Sequence, residues 1–250
     1  MTVKVAVVGA AGRMGQETCR AVEAAADLEL VARIDSDGAV SDAAKVGAQV
    51  VVDFTVPDAV MANIEDALAH GLHVVVGTSG FTDERLAAVR ALIDSAAAGL
   101  GVVVAPNFAL GAVLLMRFAR EAAAHFESVE IVETHHPDKV DAPSGTAIHT
   151  AQVIAAARRE AGLDSAPDAT RRSLDGARGA TVDGVPVHSV RLRGAVAHEE
   201  VAFGNAGEIF TLRHDSLDRV GFMPGVLLAV RQVPSRPGLT VGLEPLLDLP

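Results

Sequence analysis

The 250-residue chain has no tryptophan and no tyrosine, a single cysteine, and only three lysines (Lys4, Lys45 and Lys139) among its 21 basic residues. Without tryptophan or tyrosine, the usual ring platforms for stacking unpaired nucleic-acid bases are missing. With Cys19 alone no disulfide framework can form, which fits a reducing compartment; Cys19 itself reads as a small buried hydrophobe in a helix. Acidic residues outnumber basic ones 32 to 21, giving a net charge of −11 and no footprint for nucleic acid or an anionic membrane. A local cationic pocket remains compatible with that total. No apolar stretch is long and uninterrupted enough to span a bilayer, and Met1-Thr-Val-Lys4 runs into a β-type segment with no signal-peptide pattern. The expectation is a soluble, cytoplasmic protein. Half of its residues are hydrophobic, enough for one large or two modest cores.

What is present begins at residue 3. Val3-Lys-Val-Ala-Val-Val8 has the pattern of a buried strand, and Gly9-Ala10-Ala11-Gly12-Arg13-Met14-Gly15 follows at once, opening a helix to about Ala26. Between strand and helix, a G-x-x-G-x-x-G turn reads as a pyrophosphate cradle. Gly9 permits the tight turn, Gly12 admits the ligand to the backbone, and Gly15 allows close helix-to-strand packing. The next strand, Leu28 to Ile34, ends at Asp35, twenty positions after Gly15, where dinucleotide folds place the carboxylate for the adenosine ribose. The alternative for Asp35 is a solvated strand-end carboxylate. An aspartate there repels a 2′-phosphate and favours NADH, whereas Arg13 could counter the repulsion, so NADH and NADPH both stand as cofactors.

Strand and helix patterns keep alternating: Ala48 to Phe54, a helix from Pro57 to His70, Leu72 to Val76, a Thr82-capped helix toward Ala98, and Gly101 to Ala105. Pro57 suits a first helical position and Gly71 the position just past the end. Only the stretch from Asp35 to Ala48 is short for a full crossover, which predicts a turn or a one-turn helix. This order predicts a Rossmann-type, doubly wound parallel sheet with ligands at the carboxyl ends of its strands. Those ends are Gly9 to Met14, Asp53-Phe54-Thr55, Gly77-Thr78-Ser79-Gly80 and Ala105-Pro106-Asn107-Phe108.

Midway, Ser128 to Glu133 reads as a strand and Ser144 to Glu160 as a helix. The crossing Glu133-Thr-His-His-Pro-Asp-Lys-Val-Asp-Ala-Pro-Ser-Gly-Thr-Ala147 gathers two imidazoles, an ammonium, three carboxylates and a Ser-Gly-Thr turn. In so lysine-poor a chain, Lys139 is suggestive: a compact ammonium can donate to a carboxylate or pass a proton, unlike a guanidinium fixed in its charge. Ser144 is a natural N-cap, which leaves the N–H groups of Gly145 and Thr146 as donors for an anion. The alternative is a polar loop before a capped helix. His135 and His136, being adjacent, cannot face one point if the strand persists, so they divide the work.

Two other chemistries compete. A metal-dependent hydrolase could use His135, His136 and Asp138 or Asp141 as ligands, but adjacent histidines without a helical H-E-x-x-H weigh against it, and no metal is expected. A non-catalytic nucleotide-binding regulator would keep the glycine turn and need none of the loop. Beyond the loop, Gly111 to His125 reads as an amphipathic helix with Val113, Leu114, Met116 and Phe118 inward, and 164–183 as a surface loop. Pro186 to Arg193, Glu199 to Phe203 and Glu208 to Arg213 read as strands, the last two a hairpin through Asn205-Ala-Gly207. With 128–133 they make about four strands of an open, mixed, largely antiparallel sheet in an α+β domain. Its uncovered face predicts association. From Ser216 a helical pattern returns through Val226 to Val230, followed by a tail from Leu239 to Leu249.

The loop Glu-x-His-His-x-x-Lys-x-Asp-x-Pro-Ser-Gly-Thr-Ala resembles, at every defined position, the signature of the dihydrodipicolinate reductases of bacterial lysine and diaminopimelate synthesis. The strand tails are similar to that family's Gly-x-x-Gly-Arg-Met, Asp-Phe-Thr, Gly-Thr-Thr-Gly and Asn-Phe. Ser79 departs, standing where a second threonine is usual and keeping the hydroxyl. The resemblance implies an NAD(P)H-dependent oxidoreductase. Its substrate is a small cyclic imine dicarboxylate made from 4-hydroxy-tetrahydrodipicolinate, reduced at ring carbon 4 with loss of water to give tetrahydrodipicolinate.

By the same resemblance His135 is proton donor and acceptor, His136 binds substrate, and Lys139 serves both catalysis and binding. Ser144, Gly145 and Thr146 hold a substrate carboxylate. The cofactor falls to Gly9, Ala10, Ala11, Gly12, Arg13, Met14, Asp35, Phe54, Gly77, Thr78, Ser79, Ala105, Pro106, Asn107 and Phe108. The resemblance also implies a discontinuous nucleotide domain, 1–106 plus 216–250, a substrate domain at 107–215, and a homotetramer through the second domain's sheet. Glu133 and Asp141 are expected to orient the loop and His149 to be structural, while Pro137 and Asp138 have no assigned role.

Overall fold

Strands with both faces covered are continuous hydrophobic runs, whereas strands with one open face alternate; the chain contains both kinds and builds one sheet from each. The computed structural model describes residues 2–163 and 165–247. In chain order the first elements are β1 (Val3–Val8), α1 (Arg13–Ala24), β2 (Leu28–Ile34), α2 (Asp42–Lys45), β3 (Val50–Asp53), α3 (Val60–Ala69), β4 (His73–Val76), α4 (Asp83–Ser95) and β5 (Gly101–Val104). There follow α5 (Leu110–Ala123), β6 (Ser128–His135), α6 (Gly145–Glu160), β7 (Ala180–Val182), β8 (Val185–Arg191), β9 (Ala197–Asn205), β10 (Glu208–Ser216), α7 (Met223–Gln232) and β11 (Gly238–Val241). No helix among the described residues is long and apolar enough to cross a membrane. The chain divides into two compact units, one formed by the residues up to Leu110 and those from Arg219 on, the other by Gly111–Asp218.

The first unit is built on the valine runs. Among the described residues its six strands are all parallel, in the order β11-β5-β4-β3-β1-β2, and β3, β4 and β5 are buried or nearly so along their whole lengths. Ile64 and Leu68 of α3 and Val89 of α4 pack into this core, each such burial contributing roughly 1.5–3 kcal/mol. Because β1 pairs with β2 on one side and β3 on the other, the strand order reverses there, and the carboxyl ends of β1 and β3 flank a crevice suited to a ligand.

Local signals account for most of these elements. Thr82 caps α4 by accepting from the Arg85 amide, Gly71 ends α3 with φ +74°, and the short Asp35–Ala48 stretch holds the four-residue α2. Pro57 is corrected: it lies in a turn before α3, where the amides of Ala59 and Val60 both donate to the Val56 carbonyl, and α3 starts at Val60. The tail contributes a strand, β11, laid parallel to β5; Leu249 and Pro250, also in that tail, lie outside the described residues.

Among the described residues the second unit carries five strands in the order β10-β9-β6-β8-β7. Only the β6–β8 pair is parallel, so the sheet is mixed and largely antiparallel, as its alternating sequence leads one to expect. The count of about four is corrected by β7, inside the stretch read as loop; Asp164, the first residue of that stretch, lies outside the described residues. Asp183 and Gly184 both have positive φ, the two-residue turn that folds β7 onto β8. Ile131, Val201 and Phe203 face Leu115 and Ala119 of α5 and Ala151 and Ile154 of α6.

The inward face of α5 also needs correction. Val113 is buried, but Leu114 and Met116 are half-buried and Phe118 is 46% exposed. The buried stripe is Ala112, Leu115, Ala119 and Ala123, at three- and four-residue spacing, where small side chains let the helix approach the sheet. On the sheet's opposite face Val132, Val190 and Ile209 are exposed.

Candidate active site

In the first unit, β1 stops at Val8 and the chain turns at Gly9 with φ +76°; a Cβ there would meet the Phe54 carbonyl oxygen at 2.7 Å. A Cβ on Gly15 would sit 2.0 Å from the Gly9 carbonyl oxygen, so glycine alone lets the first turn of α1 lie against the β1 turn. Gly12 is the extended N-cap of α1, and no described side chain caps that helix, which leaves its start suited to an anion. Asp35 is more than a solvated strand end: its Oδ1 accepts the Ala11 amide at 2.9 Å, tying β2 to the glycine turn. A cleft of about 360 Å³ beside it is lined by residues including Gln16, Cys19, Arg20, Arg33 and Asp35. Arg13 is exposed at the helix start.

The other strand tails meet at the same sheet edge. Asp53 is fully buried and its Oδ1 accepts from the Thr55 amide (2.9 Å), the Thr55 hydroxyl (2.8 Å) and the Thr78 hydroxyl (2.8 Å), while Oδ2 accepts from Asn63 (2.7 Å). A carboxylate is tolerable there because donors replace its water. The Phe54 ring lies across the end of β4, where a Cβ on Gly77 would come within 2.0 Å of it, and it meets Phe108 edge-on at 5.7 Å. Asn107 turns the chain by accepting from the Ala109 amide at 2.8 Å. Ala10, Thr78, Ala105 and Phe108 bury their side chains, so backbone is what they offer a ligand; Ser79 and Pro106 are exposed. A glycine cradle, an uncapped helix start and a ribose-side carboxylate fit a dinucleotide.

In the second unit the strand period of two puts Glu133 and His135 on one face of β6. Glu133 is fully buried. Its Oε2 lies 2.5 Å from His135 Nδ1 and 2.9 Å from Arg191 Nη1; its Oε1 accepts from Arg191 Nη2 at 3.0 Å and from the Ser144 amide at 3.2 Å. Arg191, the register partner of His135 on β8, also donates to the Asp141 carbonyl at 2.7 Å. Lys139 Nζ donates to Asp141 Oδ1 at 2.7 Å, and Ser144 Oγ caps α6 by accepting the Ala147 amide at 3.1 Å. Around the Cβ position of Gly145 no described atom lies within 4 Å, so the helix start is open at that point. His136 is half-buried just past β6, where its carbonyl accepts the Lys139 amide at 3.2 Å; His149 is exposed on α6.

The electrostatics follow from this arrangement. Burial pushes the Glu133 carboxyl up, but hydrogen bonds from Arg191, Ser189 and His135 outweigh it and leave the group below its usual value, an anion at neutral pH. Burial pulls the His135 imidazole below its ordinary 6.5; the bond to Glu133 resists, while Lys139 and Arg191 add to the lowering. With Glu133 ionised, the hydrogen between the two belongs to His135 Nδ1, and Nε2 carries the lone pair. Burial raises the Asp141 carboxyl, but the Lys139 bond outweighs it and holds it low.

Residues 3–108 match the family model for the N-terminus of dihydrodipicolinate reductase, and residues 111–247 match that for its C-terminus. The chain belongs to the dihydrodipicolinate reductase family. It is 62% identical over 248 residues to the 4-hydroxy-tetrahydrodipicolinate reductase of Cutibacterium acnes, 99% of each chain being covered. To the enzyme of that name from Nocardia farcinica it is 59% identical over 249 residues, covering all of both. Among solved structures, the dipicolinate-bound dihydrodipicolinate reductase of Paenisporosarcina sp. TG-14 matches with a TM-score of 0.87 at 40% identity, covering 99% of this chain and 100% of that one.

Sequence reasoning gives no role to Arg191 or Asn63 and places Asp53 only among the strand ends. Arg191 shares strand parity with the buried Val185 and Val187, and an arginine on an inward parity was the available signal. The hydrolase alternative needs His135, His136 and an aspartate to share one point. Instead His135 Nδ1 faces Glu133 and Asp141 faces Lys139, and among the described residues no group of three or more His, Cys, Asp and Glu is placed to hold a metal.

Proposed function

We propose that this chain catalyses the reaction for which its family is named: the NADH- or NADPH-dependent reduction of the cyclic imine dicarboxylate formed from 4-hydroxy-tetrahydrodipicolinate, with loss of water, to tetrahydrodipicolinate. The observation that carries this reading is the buried Glu133, which binds His135, Arg191 and the Ser144 amide of the α6 cap at once. An imidazole, a guanidinium and a helix start are thereby locked together beside an ammonium. A dicarboxylate calls for such a set.

The first unit binds the coenzyme through Gly9 to Met14, Asp35, Phe54, Gly77 to Ser79 and Ala105 to Phe108; when bound, a reduced nicotinamide supplies hydride. In the second unit the open start of α6 at Ser144, Gly145 and Thr146 holds one substrate carboxylate, and His136 and Lys139 bind the remainder of the molecule. Lys139 offsets substrate charge and, swung from Asp141, donates to it. His135 is neutral before substrate arrives. Binding a dicarboxylate adds negative charge beside the imidazole and raises its proton affinity, so Nε2 takes up the proton that the reduced ring later needs. Glu133 holds the Nδ1 side throughout, which fixes the direction in which Nε2 points. Substrate gains one hydride and one proton, and water leaves.

Asp35 favours an unphosphorylated ribose, while the exposed Arg13 supplies a counter-charge for a 2′-phosphate; both coenzymes serve. The exposed Val132, Val190 and Ile209 on the open face of the second sheet support assembly of copies through it, as a homotetramer. The test is direct. Full-length protein is mixed with NADH or NADPH, and the nicotinamide absorbance should fall only once the cyclic dicarboxylate precursor is added. No loss with either coenzyme, or loss without the precursor, contradicts the assignment.

A further inference from the structure

Glu199, on β9, stands opposite Glu133 of β6 in the antiparallel register, and opposite His214 of β10 on its other side. Residues facing one another across paired strands share a face, so two carboxyl groups and an imidazole form one row across the sheet. Glu199 is only 6% exposed, and its Oε1 has no hydrogen-bond partner among the described residues. Its other contact is a hydrogen bond with Thr150 of α6. The Thr150 hydroxyl also reaches the Thr146 carbonyl at 3.0 Å. A hydroxyl has one hydrogen, so Thr150 serves only one of the two oxygens at a time and holds the Glu199 anion weakly.

We propose that Glu199 is a positioning residue for the reaction: as a neutral acid beside Glu133 it keeps the charge of that row single and thereby sets the proton affinity of His135. The groups around it are few. β6 presents Glu133 and, two residue pairs along, His135; β10 presents His214, neutral through burial, with Asp215 raising and His198 further lowering its proton affinity. α6 presents the non-titrating Thr150, and α5 meets the row at Gly111, whose Cβ position lies 2.5 Å from the His214 ring. Burial lifts the Glu199 carboxyl to about 7, the Thr150 bond opposing and the Glu133 charge adding. Near neutrality Glu199 therefore exchanges its proton. Loss from Glu199 puts a second negative charge in the row, which raises the affinity of His135. The two titrate as a coupled pair, and His135 keeps a protonated fraction to higher pH than it would alone.

This rests on the reading of His135 as the proton carrier, and two measurements keep the claims separable. The His135 ring proton is followed by NMR from about pH 5 to about pH 9 in the full chain and in Glu199→Gln, with kcat measured over the same range. Glutamine copies the shape of the neutral acid. In the parent protein the resonance should move in a broadened transition with a second inflection near 7. In Glu199→Gln the inflection should vanish and the midpoint fall by about half a pH unit, costing about threefold in kcat at pH 7.5 that is recovered at lower pH, with substrate KM unmoved. A second variant, Thr150→Val, removes the opposing bond and should move the inflection upward. Identical His135 titrations in parent and Glu199→Gln overturn the proposal. A changed titration with an unchanged kcat profile upholds the coupling and removes His135 from the proton-transfer step.

Discussion

Arg191 closes both of its terminal nitrogens on the two oxygens of Glu133, at 2.9 and 3.0 Å, although 58 positions of sequence separate them. The fork is what lets a fully buried carboxylate stay ionised, and an ionised Glu133 in turn orients the His135 ring. Breaking a buried pair from one side strands the other charge. Arg191→Met should therefore cost about 3–5 kcal/mol in urea unfolding, and Arg191→Lys, which keeps the charge and loses the two-pronged geometry, about 1–2 kcal/mol. A loss under about 1 kcal/mol for the methionine variant would show that Glu133 finds another partner.

Glu199 gives a pH-dependent stability of the opposite sign to an ordinary ion-paired carboxylate. Its native value is raised from 4.5 to about 7, so between those limits the folded chain holds a proton that the unfolded chain has released. Its contribution is fully present below about 4.5 and is lost as pH rises through about 7. Relative to the parent, Glu199→Gln should gain stability with rising pH, on the order of 3 kcal/mol by pH 8 and almost none at pH 4. Parallel stability curves for the two proteins across that window contradict this.

Two glycines separate packing from ligand approach. Gly15→Ala places a methyl 2.0 Å from the Gly9 carbonyl and should abolish coenzyme binding while costing about 2 kcal/mol or more of thermal stability. At Gly145 a methyl meets only open space, so Gly145→Ala should melt within the range set by about 0.5 kcal/mol yet raise the KM for the dicarboxylate severalfold. An unchanged KM would move the carboxylate anchor away from the start of α6.

Coenzyme choice is testable at the glycine turn. Arg13→Ala should weaken NADPH about tenfold, roughly 1.4 kcal/mol, and leave NADH within a factor of about two, as read by fluorescence titration. Equal losses for both would mean that Arg13 contacts the shared pyrophosphate.

How far sequence alone led depended on whether the physics was local. The glycine turn, the Thr82 and Ser144 caps and the valine runs are determined by neighbours in sequence, and they appear where the pattern puts them. Asp183-Gly184 is equally local, but the surrounding Asp, Ala, Arg and Gly read as loop and mask its hairpin turn. On α5 the large residues point to the wrong face, because the alanines define the stripe that packs. Arg191 and Glu199 are different in kind. Each acquires meaning only from the register that sets β8 and β9 on either side of β6, which no short window contains.

The most direct test is His135→Gln, with single-turnover reduction and coenzyme affinity measured on the same preparation. Glutamine retains a group that can face Glu133 but cannot carry the proton, so the rate should fall by about 10²–10³ while the nicotinamide dissociation constant stays within about twofold. Full turnover in that variant would contradict the assignment of His135 as the proton carrier.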